Sequence, residues 1–237
     1  MIIDAFRSGF SADTVVQLLL FIPVILISLT VHEYSHGYAA YLCGDMTARN
    51  FGRLTLNPVK HLDPIGTIMM LIFGFGYAKP VPINPRNFRK PRRDICIVSV
   101  AGPLSNLVLC FFGILFWRLS VVLVLKYGGY ELISTNLFSA WAMFATNFYY
   151  ANAVLCVFNM IPIPPLDGSR LLSTVLPAKI AYTLAKYENY IMIGVLVLLY
   201  FGALDGIISF IGNGIIGGLN SVVNLILNLF PFLNIYN

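Results

Sequence analysis

Apolar runs separated by short polar stretches divide the chain, and their lengths can be judged against the roughly 20 residues that carry a helix across a bilayer. The first extends from about Thr14 to Leu42, with its most apolar part between Val15 and Leu29. A polar loop follows, from Gly44 to Asp63, containing Arg49, Arg53 and Lys60. Pro64 to Tyr77 is apolar but only 14 residues long. As a helix it would measure about 20 Å, too short to span, so the pattern predicts a re-entrant or partly inserted segment. Lys79 to Arg93 reads KPVPINPRNFRKPRR. Its prolines exclude a regular helix and its six basic side chains exclude the bilayer core, which predicts an extended or hairpin loop at the membrane surface. Three apolar stretches come next, Ile95 to Trp117, Phe138 to Ile163 and the short Tyr190 to Leu204, and the last runs from Gly206 to Leu233. The expected fold is an all-α polytopic membrane protein with about five to six membrane segments, formed as a single domain over residues 1–237.

Composition strengthens that expectation. Hydrophobic residues make up 58% of the chain and charged residues 11%, and the mean hydropathy is +0.81, outside the range of soluble globular domains. The net charge of +5 reads as topology, because the basic residues cluster in loops beside apolar segments as the positive-inside rule expects. No basic stripe interleaved with aromatics suggests nucleic-acid binding. Both basic loops should therefore be cytoplasmic, and the sparsely charged Lys126 to Asn136 loop should face outward. Cys43, Cys96, Cys110 and Cys156 are scattered, with no CxxC pair, and read as reduced thiols. The amino terminus lacks a basic region before its apolar stretch, so that stretch reads as retained structure and not as a cleaved signal.

Candidate chemistry lies at the end of the first apolar run, where residues 32–36 read His32-Glu33-Tyr34-Ser35-His36, an HExxH sequence. Residues four apart share a helix face, so His32 and His36 can grip one zinc ion while Glu33 is left to activate water. Accidental spacing is the alternative, but two imidazoles and a carboxylate against a hydrophobic span are costly unless paired or metal-bound. A catalytic zinc needs a third protein ligand. His61, the only other histidine, sits in NPVKHLDPIG, where a loop-capping role is a reasonable alternative. Asp167 is the stronger candidate. It ends Asn159-Met-Ile-Pro-Ile-Pro-Pro-Leu-Asp167-Gly168, whose prolines unwind the backbone near a carboxylate that needs a partner at membrane depth.

The final segment contains Gly212, Gly214 and Gly217 in GxGxxG spacing. No strand precedes them and no acidic residue follows Asp205, so a dinucleotide site is excluded by context. Gly214 and Gly218 form a small-xxx-small pair, and Asn220, Asn224 and Asn228 recur along one face, which favours helix packing, within the chain or between subunits, against the alternative of a polar conduit.

HEYSH and the stretch ending in LDG, with NPVKHLDPIG and AGPLSN as further matches, resemble the motifs of the site-2 protease family of intramembrane zinc metalloproteases, in its short form. The resemblance covers about residues 14–172, the expected catalytic core, and leaves additional membrane segments at about 187–233. It implies one zinc held by His32, His36 and Asp167, Glu33 as catalytic acid/base, and Asn106 of AGPLSN near the scissile carbonyl. It also implies transmembrane protein substrates in a bilayer setting. The short architecture suggests a prokaryotic cell membrane, and cytoplasmic basic loops place the carboxyl end of the HEYSH helix, and so the active site, toward the cytoplasm. The PDZ-type insertion of some relatives has no room here. Read from the residues alone, Asn106 is either a donor to an oxyanion or a helix-packing amide beside Gly102, Pro103 and Ser105. Two rival functions are a metal transporter and a catalytically silent zinc scaffold. A transport site has no need of Glu33 beside the first histidine, and a scaffold would fill the water position with a fourth ligand.

Overall fold

The computed structural model describes residues 12–73 and 77–230. The outermost ends of the expected 1–237 domain, the end of the Gly206 to Leu233 run and the tip of the Pro64 to Tyr77 segment fall outside them. The fold is all-helical, 78% helix with no strands among the described residues. In order the helices are α1 (Ala12–Leu42), α2 (Thr47–Asn50), α3 (Pro64–Phe73), α4 (Pro91–Leu123), α5 (Gly129–Ile133), α6 (Asn136–Asn159), α7 (Asp167–Ser173), α8 (Ala178–Lys186), α9 (Glu188–Tyr200) and α10 (Asp205–Asn228). Among the described residues, three stretches are long and apolar enough to cross a membrane: Val15–Leu42, Pro91–Gly128 and Asp205–Asn228. The centre of the fold is the packing of α1, α4 and α6 on one another, with α7 against α4 and α10 against α6.

Helix boundaries depart from the apolar runs where backbone chemistry intervenes. Helix α4 starts at Pro91, earlier than the apolar run at Ile95, because proline at the first helical position loses no bond and its fixed φ suits the helix. Its far end passes into a π-helical stretch, Val124–Gly128, and then α5, so the expected Lys126 to Asn136 loop is largely helical. Thr135 ends that region by capping α6, its hydroxyl accepting from the Phe138 N–H at 3.2 Å. Helix α6 stops at Asn159, before Pro162, because a residue preceding proline is steered out of helical geometry. Helix α8 follows no long apolar run, which is why a search for spans passes over it.

The residues that flank the 64–77 segment pair with each other. Leu62 and Ala78 form an antiparallel bridge, the Lys79 N–H donates to the His61 carbonyl at 2.9 Å, and a Cβ on Gly66 would collide with the Tyr77 carbonyl. In α10, by contrast, Cβ atoms at Gly212, Gly214, Gly217 and Gly218 would meet nothing within 4 Å. The small-xxx-small pair therefore makes no close contact among the described residues. Of the asparagines on that helix, Asn224 accepts from Arg118 on α4 and Asn220 donates to its own helix at the Ile216 carbonyl.

One buried carboxylate ties the basic loop to the end of α1. Gly44, at φ +106°, takes the left-handed conformation that ends α1 without strain, and Asp45 beyond it is wholly buried. Its carboxylate accepts from the Thr47 hydroxyl and N–H, the Asn84 N–H at 2.7 Å and the Asn87 amide at 2.8 Å. Burial works to raise the Asp45 carboxyl, and these hydrogen bonds outweigh it, holding the group below the ordinary carboxylate range. A depressed carboxylate contributes stability that is present above its unfolded-state pKa and lost as pH falls through its folded value. Asp45→Ala should cost about 2–3 kcal/mol, the scale of hydrogen bonds to a charged group. Thermal unfolding in detergent against pH checks this, and the variant should show a flatter acid limb than the parent.

Candidate metal centre

Helix α1 carries His32 and His36 one turn apart, and both side chains are buried. Their ring nitrogens divide their work. His32 Nδ1 lies 2.6 Å from Asn106 Oδ1 and His36 Nδ1 lies 2.7 Å from the Val98 carbonyl, both on α4. A carbonyl can only accept, so His36 carries its proton on Nδ1. The same follows for His32 through a chain of amides anchored on backbone carbonyls. Asn152 donates to the Phe148 carbonyl at 2.8 Å and to Ser28 Oγ at 2.9 Å, so its Oδ1 is the atom that accepts from Asn106 Nδ2 at 2.8 Å. Asn106 Nδ2 also faces the Ser28 carbonyl at 3.3 Å, and only its Oδ1 remains for His32.

Both Nε2 atoms are thereby left as bare lone pairs, 3.0 Å apart. Asp167 Oδ2 joins them at 3.2 Å from His32 and 3.1 Å from His36. Two neutral nitrogens and a carboxylate oxygen facing one point in a buried site repel unless a cation lies among them. Their spacings are close to the roughly 3.3 Å edge of a tetrahedron built from 2.0–2.1 Å zinc bonds. This trio is the metal-capable cluster among the described residues. His61 does not join it: its Nε2 faces the Thr55 carbonyl at 2.8 Å, in the loop after α2.

Small residues let the three side chains meet. Gly102 on α4 faces the histidine pair, and a Cβ there would fall on His36 Nε2 and His32 Cε1. Asp167 opens α7 after the unwound, proline-rich residues 160–166, and a Cβ on Gly168 would strike the Met160 and Ile161 carbonyls. The AGPLSN and LDG motifs thus use their glycines for backbone approach, one to the ligands and one to the turn. Glu33 is half-buried, and its Oε2 accepts from the Val81 N–H at 2.8 Å, which brings the Lys79 to Arg93 loop onto the site. Asn106 is fully buried with both donor directions committed, so the geometry gives it the orientation of His32 and leaves no free N–H for an oxyanion. Asn152 and Val98 went unnoticed in the sequence, since neither stands in a recognisable motif.

The sequence model of peptidase family M50 matches residues 20–201. The chain belongs to this family, the site-2 proteases. The chain is 45% identical over 179 residues to YwhC of Bacillus subtilis, named as a candidate zinc metalloprotease, covering 73% of this chain and 77% of that one. It is 29% identical over 206 residues to Rip2 of Mycolicibacterium smegmatis, named likewise, covering 82% and 74%. No solved structure matches. This M50 chain is a zinc metalloprotease and an integral membrane protein, and His32, His36 and Asp167 offer the ligand set that zinc requires.

Gly102→Ala should abolish zinc binding while leaving helical content unchanged, because the new methyl group takes the space between the ligands. Metal analysis beside circular dichroism checks this, and an Ala variant of Gly214, where a Cβ meets open space, should keep its metal.

Proposed function

We propose that this protease hydrolyses peptide bonds in or near transmembrane segments of other membrane proteins, with zinc held by His32, His36 and Asp167 and the proton carried by Glu33. The observation that carries this reading is the convergence of three ligand atoms within 3.0–3.2 Å, on and beside a helix apolar enough to cross a membrane, with Glu33 next to the first ligand. When bound, zinc supplies Lewis acidity that activates water near neutral pH and polarises a peptide carbonyl. Glu33 accepts the proton of the attacking water and delivers it to the leaving amide nitrogen. The Val81 N–H holds one carboxylate oxygen of Glu33 and leaves the other to move that proton. Asn106, backed by Asn152 and Ser28, acts as a positioning residue that fixes the tautomer and plane of His32.

Access from the bilayer is supported by a cavity of about 560 Å³ between α1, α6, α9 and α10. Its apolar wall reaches Leu29, one turn before Glu33, and Leu166, next to Asp167. A substrate helix must also unwind, since its amides are otherwise occupied by internal bonds. The meeting of residues 62 and 78 supports a re-entrant 64–77 segment, and α6 and α9 added to the three long helices would bring the count to the expected five to six. The basic loops favour a cytoplasmic active site, and the relatives named above, both bacterial, favour a prokaryotic cell membrane.

His32→Ala, His36→Ala and Asp167→Ala should each lose zinc, whereas Glu33→Gln should keep zinc and lose turnover, because a ligand and a proton carrier fail differently. Metal content measured beside cleavage of single-span transmembrane peptides in proteoliposomes separates the two. Peptides with helix-weakening residues near the scissile bond should be cut fastest, and rapid cutting of a soluble unfolded protein with no cutting of these peptides would overturn the intramembrane reading.

Single cysteines at Lys60, Arg86 and Ser134, in a background without the four native cysteines, test the topology with a membrane-impermeant reagent on intact cells. Ser134 should label and the other two should not. Labelling that differs between Lys60 and Arg86 would mean that the 64–77 segment spans.

A further inference from the structure

We propose that Arg53 is a positioning residue for the general base, acting on Glu33 through a single peptide group of the basic loop. This rests on the reading of Glu33 as proton carrier. Lys79-Pro80-Val81-Pro82-Ile83 has proline on either side of Val81, so Val81 holds the one backbone N–H between Lys79 and Ile83. That N–H donates to Glu33 Oε2 at 2.8 Å. The Lys79 N–H is committed to the His61 carbonyl at 2.9 Å. Proline after Val81 also keeps that residue extended.

Arg53 grips the other side of the same peptide. Its Nη2 donates to the Lys79 carbonyl at 2.8 Å and to the Pro80 carbonyl at 3.3 Å. The Pro80 carbonyl and the Val81 N–H belong to one planar trans unit and point in opposite directions. A guanidinium holding the oxygen therefore aims the hydrogen at Glu33. No carboxylate pairs with Arg53 among the described residues, and its charge is spent on these two carbonyls, where a charged donor roughly doubles the strength of the bond. The Val81 side chain is buried and supplies the third fixed point, since a Cβ on Gly37 of α1 would stand 3.1 Å from its Cγ1. The chain of contacts runs from the loop after α2, across the basic loop, to the carboxylate beside the first ligand.

Two readouts test the clamp. Hydrogen exchange on the purified full chain, with and without zinc, reads the Val81 amide cleanly because its neighbours at 80 and 82 have none. Arg53→Ala should speed that exchange by roughly tenfold or more, as local opening would, and Arg53→Lys, which keeps one charged donor, should speed it less. In cleavage of a single-span transmembrane peptide, Arg53→Ala and Val81→Pro should each lower kcat roughly ten- to a hundredfold with zinc content intact and KM within about twofold. Val81→Ala keeps the N–H and should fall less than Val81→Pro. The double variant Arg53→Ala/Val81→Pro should be no slower than the slower single, since both remove one contact. Unchanged Val81 exchange in Arg53→Ala, or losses that multiply in the double variant, would overturn the proposal. Should Val81→Pro fail to fold, exchange and kcat in the two Arg53 variants still decide it. Failure of the protease reading shows separately, as wild-type protein that cuts no transmembrane peptide or as Glu33→Gln that cuts normally.

Discussion

Two imidazoles on one helix can aim lone pairs at a common point only if their other nitrogens hand their protons to acceptors elsewhere. That requirement organises the centre of this molecule. His36 finds the Val98 carbonyl and His32 finds Asn106, so α4 must lie against α1 at the level of the metal site. Close approach in turn demands Gly102. Asn106 must be oriented by something that cannot itself turn over: the Phe148 carbonyl provides this through Asn152, and the Ser28 carbonyl accepts from Asn106 directly. The packing of α1, α4 and α6 is thus dictated as much by the placing of two protons as by apolar contact.

The loop region answers a second demand. Metal hydrolysis needs water and a mobile proton, both foreign to the bilayer interior, so a polar wall must reach the site from the membrane surface. The Lys79 to Arg93 loop does this with few donors at its inner end, where Pro80 and Pro82 leave Val81 the one backbone N–H between Lys79 and Ile83. Asp45 anchors the far part of the loop at Asn84 and Asn87, and Val81 touches Glu33. A loop with so few backbone donors at its inner end has few alternative ways to pair, which suits a fixed wall better than a flexible one.

What could be read from the sequence followed from range. HExxH is local, because helix periodicity alone puts His32 and His36 on one face. Asp167 was legible because three prolines announce unwound backbone beside a carboxylate, though only the fold brings it across 131 residues to His36. The three long spans were legible by length and apolarity. Asn152, Val98 and Arg53 were not. Their roles lie in bonds to backbone or amide partners far away in sequence, and a carbonyl carries no sequence signature at all. Asn106 was singled out, but its direction depends on Asn152, which no motif contains. Helix α8 and the π-helical end of α4 escaped because apolar length is silent about surface helices and about how a span ends.

The row of hydrogen bonds from His32 through Asn106 and Asn152 to Ser28 crosses α1, α4 and α6, and no one of those helices satisfies it alone. In hydrocarbon, an inserted helix that has not found its neighbours carries polar side chains short of partners, and lateral association is what removes that penalty. The row therefore ties assembly to register: sliding any one of the three helices by a single turn breaks the bonds it makes to the other two. Insertion of the separate helices and formation of the site become distinct events, and the ligand geometry exists only after the second.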